Sequence, residues 1–345
     1  MEPGYITGYM ETPAGTIPGI STTWSIGDRM STIRVRWSVG RMKYRVSPGI
    51  YAVGSPDPSS PVFVTANFKL TFDHVRRALA DMNAWLLVLD TRGINVWCAA
   101  GKGTFSTKEI TRMVNLTGLE KLVTHHKIIV PQLGAVGVSA HEVRKQTGFS
   151  VIYGPVRAAD IPAFMAGGLK SSEKMRRVTF PLWERLKLIP VELANGGYYL
   201  LLVPAMFLIL SGLYRWGYST GLAFSDGLKA IVNLCTAYLA GSALTPALLP
   251  WIPFRRFSLK GLTMGWLTAI LLFIIHFLGT TPVSIISWLL MIGGLSSFTA
   301  MTFTGTSTFT SLSGVQKEMK TALPVQIGMT ALGVAGWLLS KFIYL

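Results

Sequence analysis

The segment Gly93-Ile94-Asn95-Val96-Trp97-Cys98-Ala99-Ala100-Gly101-Lys102-Gly103-Thr104-Phe105 follows directly on an apolar run, Ala84-Trp85-Leu86-Leu87-Val88-Leu89-Asp90. The run reads as a buried strand. Asn95 is a good helix N-cap, because its side-chain oxygen accepts a backbone N–H of the first turn. This puts Cys98 in the first turn of a short helix, where unpaired N–H groups and the helix dipole favour an anionic sulfur. Ala99, Ala100, Gly101 and Gly103 carry little or no side chain. A helix with one sulfur among small residues is able to lie flat against a large ligand. Cysteine in general is more often a buried apolar residue. Here the small-residue run and the strand-to-helix position favour the ligand-facing reading.

Outward from this segment the pattern alternates between strands and helices. Upstream, Val62-Phe63-Val64-Thr65 reads as a strand, and a helix begins near Asp73. Downstream, Ser106-Thr107-Lys108-Glu109 and Ser139-Ala140-His141-Glu142 are capping boxes that open helices. Lys127-Ile128-Ile129-Val130 and residues 149–153 read as strands, and Asp160-Ile161-Pro162 opens a further helix. Such alternation implies a largely parallel sheet, whose ligands sit at the carboxyl ends of the strands. Four loops fall on that edge: Thr65-Ala66-Asn67, residues 90–102, residues 132–139 and residues 153–156. They supply the candidate ligand contacts. These are Thr65, Asn67, Asp90, Asn95, Val96, Trp97, Ala99, Ala100, Gly101, Lys102, Thr104, Gln132, Gly134, Ala135, Val138, Ser139, Tyr153, Gly154, Pro155 and Val156, around Cys98. The adjacent pair His125-His126 reads as a solvated turn, since neighbours on a strand face opposite ways and do not share one metal ion. Before the alternation begins, Ile33-Arg34-Val35-Arg36-Trp37-Ser38 reads as a half-buried strand. Residues 1–32, rich in Gly, Pro, Thr and Ser without the apolar core of a secretory leader, read as a poorly ordered tail.

The charge of the chain breaks near Pro190. Of 32 Lys and Arg, 24 precede it, as do 13 of the 16 Asp and Glu; long apolar runs follow. A basic α/β domain over residues 33–170 is thus expected, then a basic amphipathic membrane-interface linker over 171–192, with Arg176, Arg177, Arg185 and Lys187 among aromatics. A membrane domain over 193–345 completes the chain. Its five expected transmembrane helices cover 193–213, 227–249, 262–278, 282–303 and 324–343, each close to the roughly 20 residues a bilayer requires. Asp226 and Lys229 are spaced to pair on one helix, and His276 falls inside the third span. Arg255, Arg256, Lys260, Lys317 and Lys320 lie in loops on one side and only Arg215 on the other. The chain is therefore expected in the inner (cytoplasmic) membrane, with its N-terminal domain in the cytoplasm and its C-terminus outside. The net charge of +16 suits anionic lipid or an acidic partner better than nucleic acid, for which no motif appears. Only two cysteines, Cys98 and Cys235, are present, so no iron–sulfur cluster is expected on this chain.

Residues 95–102 match, position by position, the pattern Asn-(Val/Ile)-Trp-Cys-Ala-(Ala/Gly)-Gly-Lys. The chain thereby resembles the mercury-methylating corrinoid protein family. The likeness continues through Pro131-Gln132-Leu133-Gly134-Ala135, Gly137-Val138-Ser139-Ala140-His141-Glu142-Val143 and Tyr153-Gly154-Pro155-Val156-Arg157. It implies a Rossmann-like cobalamin-binding domain followed by an all-α membrane domain. The cysteine, here Cys98, would be the lower axial ligand to the cobalt of a cobalamin. The implied reaction is transfer of a methyl group from cobalt to Hg(II), giving methylmercury. The implied partners are a small two-cluster ferredoxin-like protein that returns electrons and an enzyme that delivers the methyl group, with methylated folate as donor. The cysteine count sets the chain apart from the related corrinoid iron–sulfur proteins, which hold a cluster on their own cysteines. A corrinoid methyl carrier of one-carbon metabolism with another acceptor is the alternative reading.

Overall fold

A computed structural model describes residues 3–303 and 312–343. The chain divides into two units, one of residues Met1–Val35 and Val39–Thr179, the other of Arg36–Ser38 and Phe180–Leu345.

In the first unit the strands are β1 (Ile6–Thr12), β2 (Gly15–Ile20), β3 (Gly49–Val53), β4 (Val62–Ala66), β5 (Ala84–Leu89), β6 (Lys127–Val130) and β7 (Ser150–Tyr153). They form one mixed sheet in the order β1-β2-β3-β5-β4-β6-β7. The neighbours β5, β4, β6 and β7 run parallel. β3 is antiparallel to β5, and β1 and β2 form an antiparallel hairpin. The helices are α1 (Ile26–Arg36), α2 (Lys69–Ala78), α3 (Val96–Gly101), α4 (Thr107–Leu116), α5 (Ala140–Thr147), α6 (Ile161–Ala166) and the short α7 (Glu173–Arg176). β4 and β5 are buried at every position because helices cover both faces of the sheet, as parallel strands require. On one face Val64, Leu87 and Leu89 pack with Val96, Ala99, Ile110, Met113 and Val143. On the other, Phe63, Leu86 and Val88 pack with Phe72, Leu79, Ile161 and Phe164.

The amino-terminal expectation is corrected. Met1 and Glu2 of the expected tail lie outside the described residues, but residues 6–32 are ordered elements. The β1–β2 hairpin turns at Gly15, whose φ of +108° favours glycine, and Tyr5, Ile17 and Ile20 are buried. The expected strand over 33–38 is instead the end of α1. Its Ile-Arg-Val-Arg alternation mimics a two-residue period, whereas the residues actually buried are Asp28, Thr32 and Val35, spaced as one helical face. Asp28 fixes that face. Its carboxylate accepts from Lys69 Nζ at 2.7 Å and Arg76 Nη2 at 2.8 Å, and Asp73 accepts from the same two cations at 2.6 and 2.8 Å.

The second unit is helical: α8 (Leu182–Leu186), α9 (Ile189–Asn195), α10 (Tyr199–Ser211), α11 (Thr220–Leu239), α12 (Thr245–Leu248), α13 (Phe257–Ile274), α14 (Pro282–Thr302) and α15 (Leu312–Ile343). A two-residue hairpin, β8 (Leu213–Tyr214) with β9 (Gly217–Tyr218), joins α10 to α11. A π-helical stretch over Ala240–Leu244 fuses α11 to α12, so the helix runs to Leu248 in spite of Pro246. Among the described residues, four helices are long and apolar enough to cross a membrane. The segment Leu182–Asn195 with α10, bent by 55°, is a further pair that passes the same test together. α13 and α14 pack closely because a Cβ on Gly261 would lie 2.5 Å from the Ser296 carbonyl oxygen. Ser296 Oγ donates to Gly261 O at 2.7 Å, and Gln326 Nε2 donates to Ser297 Oγ at 2.8 Å, small polar contacts that let the helices approach closely. Asp226 pairs with Lys341 of α15 at 2.7 Å rather than with Lys229. His276 lies beyond the end of α13, exposed and with a φ of +59°, so it is not within the third helix.

Candidate functional site

The site begins with Asn67. It follows β4, is buried, and its Oδ1 accepts from Thr91 N at 3.1 Å, Thr91 Oγ1 at 2.8 Å and Gly93 N at 2.9 Å. Its Nδ2 donates to Asp90 Oδ1 at 3.1 Å. The side chain chosen from sequence as a ligand contact is therefore the clamp of the loop between β5 and α3. Asp90 is held in the same loop: its N–H donates to Glu109 Oε1 at 3.0 Å, and its Oδ1 accepts from Arg92 N at 3.0 Å.

The loop delivers α3. Asn95 Oδ1 accepts from the Cys98 N–H at 2.9 Å, so the cap expected from sequence forms and holds the backbone of Cys98. Val96, Ala99 and Ala100 turn into the core, while Trp97 and Cys98 are half-buried. Cys98 is a free thiol. Thr104 N and Phe105 N both donate to Ala99 O, at 3.0 and 3.1 Å, which closes the far end of the helix. The Thr104 hydroxyl faces the same carbonyl at 3.4 Å, so this candidate contact serves the helix end. Lys102 and Gly101 are exposed beside it.

The third loop is packed onto α3 through two glycines. A Cβ on Gly137 would lie 2.2 Å from Phe105 O and 3.2 Å from Ala100 Cα; one on Gly134 would lie 2.4 Å from the Phe105 ring. Gly134 was read from sequence and Gly137 was not among the chosen contacts, though both occur in the same glycine-rich run. Gln132 and Ala135 are half-buried in the short 3-10 turn that carries Gly134. Val138 is buried, and Ser139 caps α5 by accepting from Glu142 N at 3.5 Å. Ser139 N donates to Thr107 Oγ1 at 2.8 Å, joining the starts of α4 and α5. Tyr153 Oη donates to Val138 O at 2.7 Å, and burial raises this phenol above its ordinary value, so it remains a neutral donor. Gly154 and Pro155 are buried and Val156 is half-buried, with Val156 N donating to Met175 O at 2.8 Å. Thr65 is buried at the end of β4, and its hydroxyl has no hydrogen-bond partner.

Four adjacent parallel strands thus deliver four loops to one edge. On that edge a free half-buried thiol stands on a helix whose other side is core, next to small residues and a glycine-packed loop. These features fit a flat macrocycle carrying a thiophilic metal: the sulfur is available, and no side chain bulkier than alanine follows it on α3. Among the described residues no group of three His, Cys, Asp or Glu is placed to hold a metal ion on its own. His125 Nε2 lies 2.9 Å from Ser60 O, and His126 packs edge-on against Phe149.

Comparison with known proteins finds relatives over the α/β unit. The family model described as CO dehydrogenase/acetyl-CoA synthase delta subunit matches residues 29–165. The acetyl-CoA decarbonylase/synthase complex subunit gamma of Methanopyrus kandleri is 35% identical over 127 residues, 36% of this chain and 27% of that protein. The subunit gamma of Archaeoglobus fulgidus is 32% identical over 141 residues, 39% of this chain and 30% of that protein. The corrinoid/iron-sulfur protein large subunit of Moorella thermoacetica is 35% identical over 129 residues, 37% of this chain and 28% of that protein. The chain spans less than a third of the length of these relatives. The α/β unit is thus similar to subunits of acetyl-CoA decarbonylase/synthase complexes and to a corrinoid/iron-sulfur protein subunit.

Proposed function

We propose that this chain is a corrinoid-dependent methyl-transfer protein whose α/β unit would hold cobalamin at its loop edge, with Cys98 as the residue that would ligate its cobalt. The observation that carries the reading is the free, half-buried Cys98 on an Asn95-capped helix, within a segment similar to corrinoid proteins. A bound corrinoid supplies a cobalt that takes up and releases methyl groups. The chain's own residues fix the geometry. Asn95 and the Asn67-clamped loop set the height of the sulfur. Gly134 and Gly137 let the third loop press on α3 from behind, and Tyr153 ties the fourth loop to the third. An anionic Cys98 sulfur would donate more charge to a bound metal than water or imidazole does, and would so make it a better methyl donor.

The relatives support a methyl carrier in one-carbon metabolism, the broader of two acceptor readings. The narrower one, transfer to Hg(II), rests on the unbroken match of residues 95–102 to the mercury-methylating pattern. In both readings a methylated folate enzyme supplies the methyl group. A two-cluster ferredoxin-like protein supplies electrons, since the two cysteines of this chain are too few for a four-cysteine cluster. The long apolar helices and the Arg255–Arg256 loop support insertion in the cytoplasmic membrane, with the N-terminal unit in the cytoplasm and the C-terminus outside; Lys260, Lys317 and Lys320, expected in loops, lie instead in α13 and α15. The deciding experiment is an absorption spectrum of the purified chain, followed by single-turnover methyl transfer with Hg(II) and with a one-carbon acceptor offered separately. A chain that binds corrinoid and methylates only the one-carbon acceptor retains the carrier reading and removes the mercury one. A chain that binds no corrinoid removes both.

A further inference from the structure

α1 has a buried polar face and an exposed apolar one. At about 100° per residue, Asp28, Thr32 and Val35 form the buried side. Ile26, Met30 and Ile33 fall within an arc of about 60° on the opposite side, and they are 83%, 55% and 53% exposed. Trp37, one residue past the helix, continues the same line and is 50% exposed. Arg29 and Arg34, both exposed, flank the stripe, each about 40° outside one edge. A narrow apolar line flanked by an arginine on each side is the pattern of a helix lying in a lipid–water interface, its apolar residues dipped and its cations at headgroup height.

The chain's connectivity points the same way. α1 ends at Arg36, and Arg36–Ser38 belong to the helical unit. There Arg36 Nη1 donates to Lys187 O at 3.3 Å, at the end of α8, whose Trp183 is 66% exposed. We infer that the outer face of α1 docks on the surface of an anionic bilayer, with Ile26, Met30, Ile33 and Trp37 inserted between headgroups and Arg29 and Arg34 on lipid phosphates. This rests on the membrane reading of the helical unit. It adds a second lipid contact, made by the α/β unit itself.

The test uses the full chain carrying Cys98→Ser and Cys235→Ala, reconstituted in vesicles of phosphatidylcholine with or without phosphatidylglycerol. A polarity-sensitive thiol label is placed in turn at Ile33→Cys, at Asp81→Cys as an exposed control and at Leu267→Cys in α13. The expected result is a blue shift and quenching by nitroxide lipid at position 33 in phosphatidylglycerol vesicles. The shift should fall in phosphatidylcholine alone and in an Arg29→Glu, Arg34→Glu background, with no shift at position 81. Quenching at 267 without quenching at 33 overturns the inference while leaving the membrane reading intact. A blue-shifted but unquenched label at 33 overturns it too, since the stripe would then be packed on protein. No quenching at 267 removes the membrane reading itself, and the inference with it.

Discussion

At the scale of single residues, the two cysteines part company. Cys98 stands on the loop edge and Cys235 lies in α11, remote in sequence from every loop of that edge. Cys98→Ala should abolish methyl transfer and change the corrinoid spectrum, whereas Cys235→Ala should leave both near wild type; parallel assays in membranes check this. Near wild-type transfer by Cys98→Ala would remove the thiolate mechanism. Asn67 makes a different kind of contribution. Its Oδ1 satisfies three donors in a buried loop, and leaving buried donors unpaired costs about 1–3 kcal/mol. Asn67→Ala should therefore lower stability by about that amount, read from the denaturant midpoint. Corrinoid retention should suffer in addition, because the loop also positions α3.

At the scale of elements, the contact of α3 with the loop after β6 depends on the absence of a side chain at residue 137. Gly137→Ala places a methyl against the Phe105 carbonyl oxygen and the Ala100 backbone, neither of which is a flexible side-chain end. Overpacking of this kind costs about 1–3 kcal/mol. The variant should lose corrinoid stoichiometry before it loses secondary structure; a fully loaded, equally stable Gly137→Ala protein would show that the loop does not support α3. The packing of α1 on α2 has a pH signature. Burial works to raise the Asp28 carboxyl, but hydrogen bonds from Lys69 and Ser25 outweigh it and hold the group well below the usual carboxylate range. Its folded value is depressed, so its contribution is complete above about pH 4, the unfolded value, and is lost as the pH falls toward the folded one. Asp28→Asn should be less stable than wild type at pH 7, with the gap narrowing below about pH 4. Denaturant midpoints measured across that range check the sign.

At the scale of the whole molecule, the charge asymmetry between loops sets an expected orientation. The loop containing Arg255 and Arg256 should face the cytoplasm and the loop containing Thr280 the outside. Both positions are exposed, so Arg255→Cys and Thr280→Cys chains without the native cysteines are readable by an impermeant thiol reagent on intact cells. Labelling at 280 alone is the expected outcome, and labelling at 255 alone would invert the orientation. The paired Asp226 and Lys341 join α11 to α15, and an ion pair between helices holds them in register without requiring a transport path.

The sequence by itself determined the local elements around Cys98. Asn95, Ser106 and Ser139 each act within three residues of their own position, so their caps were legible, as were the apolar strands β4, β5 and β6. The likeness of residues 95–102 and the break in composition near Pro190 were equally local. Tertiary structure decided the rest. α1 looked like a strand or tail because the partners of Asp28, Lys69 and Arg76, lie more than 40 residues away. The clamp made by Asn67 was not legible because its partners belong to a loop over 20 residues downstream. Lys341 displaced Lys229 as the partner of Asp226 across 115 residues. Periodicity and capping report interactions within a turn or two of the chain; an ion pair or a loop clamp between distant segments exists only after the backbone has brought them together.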